Sequence, residues 1–88
     1  MIGEQIQKED IRNYRIIKAP EDHTVELYRK LENALRLGNG FKGKVNIIFQ
    51  TDEGTKRVET TVWALTEMSL QLKSGIVIPL KSLIDIDY

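Results

Sequence analysis

From residue 44 onward the chain is a succession of short strand-forming runs separated by tight turns, and this rhythm restricts the fold more than any other feature. Residues 41–88 hold 15 of the 22 Ile, Val and Thr residues, the β-branched types that pack well on a pleated surface. Residues 44–51 predict a first strand, and Asp52-Glu53-Gly54 a turn in which glycine supplies a positive φ. Residues 56–66 predict a long second strand, with Glu67-Met68 as the next turn. A short third strand over 69–73, a hairpin turn at Ser74-Gly75 and a fourth strand over 76–80 follow. Lys81-Ser82-Leu83, coming after Pro79, suits a single 3₁₀ turn, and residues 84–88 close as a fifth strand. Every connection is too short for a crossover, so an antiparallel meander is expected.

The parity of the long second strand sharpens this. Val58, Thr60, Val62 and Ala64 point one way, and Thr61, Trp63 and Leu65 the other. Both faces are partly apolar, which a sheet with one wet face does not need. A small, strongly curved barrel uses both, with one face filling the barrel and a helix covering part of the other.

That helix precedes the strands. Leu27, Tyr28, Leu31, Ala34 and Leu35 fall on one stripe of a 3.6-residue period, and Glu26/Lys30 and Glu32/Arg36 pair at i, i+4 on the wet side. Pro20 suits a helix start, Glu21 and Asp22 suit its positive end, and Thr24 is an alternative N-cap. Gly38 suits the position just past the end, and Asn39-Gly40 the turn after it. The expected helix spans 21–37. The fold expected is therefore α+β: one N-terminal amphipathic helix followed by about five antiparallel strands forming a small barrel. Residues 20–88 form its single domain, and 1–19 an arm whose order stays open. In that arm Ile11 and Tyr14 suit a helical turn and residues 15–18 a short strand.

Eighty-eight residues make one domain. A chain this short buries only roughly 60–65% of its unfolded surface, so oligomerisation is an open route to stability. Leu, Ile, Val and Phe make up 27 of the 88 positions, too many for a disordered chain. The absence of cysteine excludes disulfides, thiolate metal sites and a thiol nucleophile, and fits a reducing, cytoplasmic setting. No basic, apolar leader opens the sequence and no apolar run approaches the roughly 20 residues that span a bilayer, so no membrane partner is expected. Acidic and basic residues number 13 each, with seven of each sign in residues 1–40 and six of each in 41–88. This balance lacks the basic excess of a dedicated nucleic-acid binder.

The candidates for chemistry are few. His23 is the sole histidine and has no nucleophile or carboxylate at a diagnostic spacing, so it reads as a residue of the first helical turn. Asp85 and Asp87 share one strand face, a pattern open to a hard cation or an acid/base pair, yet they alternate with Ile84, Ile86 and Tyr88 as a wet face does. Gly38, Gly40 and Gly43 with Lys42 and Lys44 make a glycine- and lysine-rich loop. It runs from helix to strand and lacks the Gly-Lys-Ser/Thr ending of a phosphate loop. Neither an enzyme nor a cofactor or metal site is expected. Lys42, Lys44, Lys56, Arg57, Lys73 and Lys81, with Phe41, Trp63 and Tyr88, interleave positive charge with aromatic rings, as in small barrels that bind single strands. Trp63 suits either packing beneath the helix stripe or an interface anchor, and packing is the expectation. The candidate interaction surface is Phe41, Lys42, Lys44, Trp63 and Lys73.

Thr61-Val62-Trp63-Ala64-Leu65-Thr66-Glu67, followed by Leu72-Lys73-Ser74-Gly75 and Ile76-Val77-Ile78-Pro79-Leu80, resembles a family of small bacterial proteins sharing a "TxWAxTE…LKxG…IPL" run. That resemblance covers about the last half of the chain and implies no activity. The stretch from Ile76 to Ile86, with strand, 3₁₀ turn and final strand in succession, is also similar to the closing strands of Sm-like and SH3-like barrels. It implies assembly of copies into rings and contact with RNA. The function expected is a non-enzymatic interaction module acting by homo-oligomerisation or by binding a protein partner at a strand edge. Sm-like binding of single-stranded RNA is the alternative.

Overall fold

A computed structural model of the chain describes residues 3–37, 40, 43–73 and 75–87. Gly38, Asn39, Phe41, Lys42, Ser74 and Tyr88 lie outside the described residues, and with them the expected glycine stop of the helix and two of the candidate interaction residues. The strands are β1 (Glu4–Ile6), β2 (Val45–Thr51), β3 (Gly54–Thr60), β4 (Val62–Leu65), β5 (Ser69–Leu72), β6 (Val77–Pro79) and β7 (Leu83–Asp87). The helix α1 (Thr24–Arg36) stands between β1 and β2, and 3₁₀ turns occupy Lys8–Asn13 and Leu80–Ser82. The fold is α+β, and the described residues form one α-helix and seven strands in two sheets. One sheet has the order β1-β3-β2-β7 and the other β4-β5-β6.

The expected count of about five strands is corrected at the long second strand. It divides at Thr61 into β3 and β4, which belong to different sheets. Thr60, Thr61 and Val62 are buried one after another, so the alternation that a continuous strand requires is lost there. The register against β5 slips between Val62 and Ala64 as well. This is how a strand turns a corner between packed sheets. Among the described residues no hydrogen-bonded ladder closes the two sheets into a barrel.

β2 pairs with β3 and β7, both antiparallel. Ile47, Ile48 and Phe49 are all buried, as in a strand covered on both faces. The buried Thr51 hydroxyl ends β2 by donating to the Gly54 carbonyl at 2.7 Å and accepting the Glu53 N–H at 3.2 Å. Gly54 stands at φ +109°, where a side chain would be strained.

The arm set apart in the sequence reading is joined to this sheet. β1 pairs with β3 in parallel, a departure from the all-antiparallel meander. Ile16 bridges Thr51, and the Ile17 and Ala19 N–H groups donate to Gln50 and Lys81 carbonyls at 3.1 and 2.9 Å. Lys56 on β3 donates to Glu4 on β1 at 3.1 Å and sits 5.0 Å over the Tyr14 ring. The Glu4 hydrogen bond holds the Lys56 ammonium above the usual lysine range.

α1 begins at Thr24, three residues later than expected. Asp22 lies outside it and accepts the Thr24 N–H at 2.9 Å, while His23 holds the N-cap position and meets Glu26 at 3.3 Å. Leu27, Leu31 and Ala34 are buried, and the helix packs against β4 and β7, one edge strand of each sheet. Lys30 donates to Asp85 on β7 at 3.0 Å, so the aspartate offered as half of an acid/base pair is engaged with the helix. No helix among the described residues is long and apolar enough to cross a membrane.

Candidate functional site

Two concave sites stand out, one apolar and one polar. The apolar groove, about 570 Å³, lies where the 15–19 segment, the start of α1, the β4–β5 turn and the end of β6 meet. Its walls are pinned by backbone. The Leu80 N–H donates to the Met68 carbonyl at 3.0 Å, and the Ser82 hydroxyl donates to Pro79 O at 2.7 Å. The Thr66 hydroxyl accepts N–H groups from Met68 and Ser69 at 3.3 and 3.0 Å, holding the turn that carries Met68.

The side chains on this frame are large, apolar and open to water. Val25 is 90% exposed, Met68 77% and Ile17 39%. Pro79 and Leu80 complete the apolar lining, and Lys18, Asp22, Glu67 and Lys81 supply two charges of each sign. Hydrogen bonds from the Thr24 hydroxyl and backbone N–H hold the Asp22 carboxyl below its ordinary range, helped by the nearby Lys81 charge. A second depression lined by Tyr28, Leu35 and Leu65 shares Glu67 with the groove, extending the apolar surface along α1. Sequence reasoning missed this site. The available signal is that Val25 lies off the buried stripe of α1, about 160° around the helix from Leu27, a position a purely structural surface helix has no need to make apolar.

The polar pocket, about 320 Å³, lies at the corner where β3 gives way to β4. Buried Thr60 and Thr61 line it together with Lys8, Lys44, Lys73, Glu9 and Glu59. The Lys73 N–H donates to the Thr61 carbonyl at 3.0 Å, fixing the backbone that carries that lysine. Two of the candidates from sequence, Lys44 and Lys73, are thus brought together, joined by Lys8, which the sequence reading did not single out.

Trp63 lines neither site. It lies on β4 and is 52% exposed, so the packing beneath the helix expected of it does not bury it; Val58, Thr60 and Val62 keep the inward parity across the corner, and Trp63 stands on the opposite, open face of β4. Phe41 and Lys42 lie outside the described residues. Asp85 and Asp87 belong to neither site, and among the described residues no three His, Cys, Asp or Glu side chains gather as metal ligands. No protein-family model, curated protein or solved structure matches the chain, so its own geometry carries the functional reading.

Proposed function

We propose that the chain is a non-enzymatic interaction module whose apolar groove pairs with a second copy of itself. The observation that carries this reading is the exposure of Val25, Met68 and Ile17 on one groove whose frame is pinned by backbone hydrogen bonds. Scattered exposed apolar residues are ordinary; several converging on one concavity mark a contact surface. The rim favours a copy of the same chain. Two ammonium groups and two carboxylates around an apolar floor give the groove no net charge, so a two-fold axis can bring cations of one copy to anions of the other. The zero net charge adds no long-range repulsion between copies.

Pairing at a strand edge, the mode expected from sequence, has less to work with. α1 packs against edge strands β4 and β7, while β1 and β6 have three residues each and β6 ends in a proline that cannot donate. The path of the strands supports an Sm-like or SH3-like relation as the finer reading of the fold: β2 lies between β3 and β7, and a 3₁₀ turn joins β6 to β7. The cytoplasmic setting belongs to the same reading and rests on the absence of cysteine.

Light scattering across a concentration series tests it. The mass should rise from 10.1 kDa toward twice that value. Val25→Glu and Met68→Glu should each weaken association by about a hundredfold, since a two-fold interface loses every apolar contact twice. A mass fixed at the monomer value, or unaltered association in both variants, refutes it.

A further inference from the structure

We propose that the polar pocket at the β3–β4 corner binds a small phosphate monoester carrying hydroxyl groups, of the polyol- or sugar-phosphate class. The site shares no residue with the apolar groove and the inference is independent of self-association. Three observations carry it.

Lys8, Lys44 and Lys73 reach the pocket from three separate parts of the chain, and none of them is in an ion pair or side-chain hydrogen bond among the described residues. Lys30 and Lys56, by contrast, each hold a carboxylate at 3.0 and 3.1 Å. These three ammonium groups outnumber the two carboxylates of the same lining, and a phosphate monoester brings a charge of about −1.5 to −2 at neutral pH with three acceptor oxygens.

The lining also supplies what a hydroxylated ligand needs. Thr60 and Thr61 are 3% and 6% exposed and stand side by side because the chain turns between sheets there. Their hydroxyls both donate and accept. Glu9 and Glu59 accept hydrogen bonds from ligand hydroxyls and leave the lining one positive charge in excess, so a bare anion is held less well than one carrying hydroxyl groups. At about 320 Å³ the space lies at the small end of ligand sites, enough for a monomeric phosphate ester and too little for a nucleic-acid strand.

Amide shifts of the isotope-labelled full chain, titrated with glycerol phosphate, glycerol, inorganic phosphate and a single-stranded uridine oligonucleotide, test this. Glycerol phosphate should give saturable shifts centred on Thr60, Thr61 and Lys73. Inorganic phosphate should act at the same amides more weakly, and glycerol not at all. Lys73→Gln and Lys44→Gln should each weaken binding by about tenfold, the loss of one charge-assisted hydrogen bond, while Arg29→Gln, on the exposed side of α1, leaves it unchanged. Both pocket lysines are exposed, so these variants keep the spectrum of the folded chain elsewhere. Four outcomes overturn the proposal: equal binding of glycerol; shifts scattered over every lysine without saturation; indifference to both pocket variants; or binding of the oligonucleotide without the monoester, which assigns the lysines to a strand-tracking surface.

Discussion

Leu31 and Val25 lie on the same helix and have opposite surroundings, so truncating each to alanine isolates what the docked face of α1 contributes. Leu31 is fully buried against the core, while Val25 is 90% exposed. Leu31→Ala removes three carbons from a site with no access to water. The transfer loss is about 2.4 kcal/mol at roughly 0.8 kcal/mol per buried CH₂. Incomplete collapse of the space adds to it, giving a total of about 3–4 kcal/mol, inside the usual range for buried leucines. Val25→Ala loses almost no buried surface and replaces a β-branched residue by the best helix former, so the folded monomer should gain a few tenths of a kcal/mol. For 88 residues the unfolding entropy near the midpoint is about 0.19 kcal/mol/K. Leu31→Ala should therefore lower Tm by about 15–20 °C, and Val25→Ala should raise it by a degree or two. Thermal and urea unfolding followed by circular dichroism, at concentrations where scattering gives the monomer mass, measures both. A Leu31→Ala loss below about 1 kcal/mol, or a Val25→Ala loss of similar size, refutes the docking of α1 by its Leu27, Leu31, Ala34 face.

Four further outcomes are expected. Thr51→Val removes a buried hydroxyl and leaves the Glu53 N–H and Gly54 carbonyl without it, costing about 1–3 kcal/mol in urea unfolding. Gly54→Ala meets no atom within 4 Å of the added carbon but must hold φ +109°, so it should cost about 1 kcal/mol or more through backbone strain alone. Lys56 binds its proton more tightly folded than unfolded, so its contribution is complete below the ordinary lysine range and lost as pH rises through the raised folded value. Tm should then fall more steeply above pH of about 10 in the wild type than in Lys56→Gln. Asp22 has the opposite sign: its carboxyl is held low when folded, so its contribution is present above the ordinary aspartate range and lost on acidification, and Asp22→Asn should flatten the acid limb of the stability curve.

The local features of this fold were legible because they depend on neighbours in sequence. The 3.6-residue stripe places Leu27, Leu31 and Ala34 on the buried face, and the Asp52-Glu53-Gly54 turn and the 3₁₀ turn near residue 81 lie where their residue types put them. The helix start was misjudged by three residues, because Asp22 acts from outside the helix on the Thr24 N–H and not within its first turn. What depends on distant partners was not legible. β1 has one buried residue, Ile6, and no alternation to announce it; it is a strand only because β3 presents an edge. The corner at Thr61 is equally silent, since a run of β-branched residues reads the same through a bend as along a straight strand; parity sets Trp63 opposite buried Val62 but does not say that its face of β4 stays open to water.

The same distinction explains why charge balance was a poor guide to surface chemistry. Each part of the chain carries as many acids as bases, and sequence windows of that kind argue against a polyanion site. Folding sorts these charges without regard to the windows. Glu4 is drawn to Lys56 by the parallel pairing of β1 with β3, and Asp85 to Lys30 by the docking of α1 on β7. Those pairings remove carboxylates from general circulation, and Lys8, Lys44 and Lys73 around one pocket have no ion-pair partner among the described residues. The pairing that makes β1 a strand also sets Gln5 and Ile6 beside Arg57 and Val58, so that Lys8, just past the strand, reaches the corner occupied by Thr60. Disrupting β1 should therefore weaken glycerol phosphate binding while the groove, built from other elements, keeps its self-association. Deleting residues 1–7 and measuring both equilibria distinguishes the two sites, and a parallel loss of both would show that they are not independent.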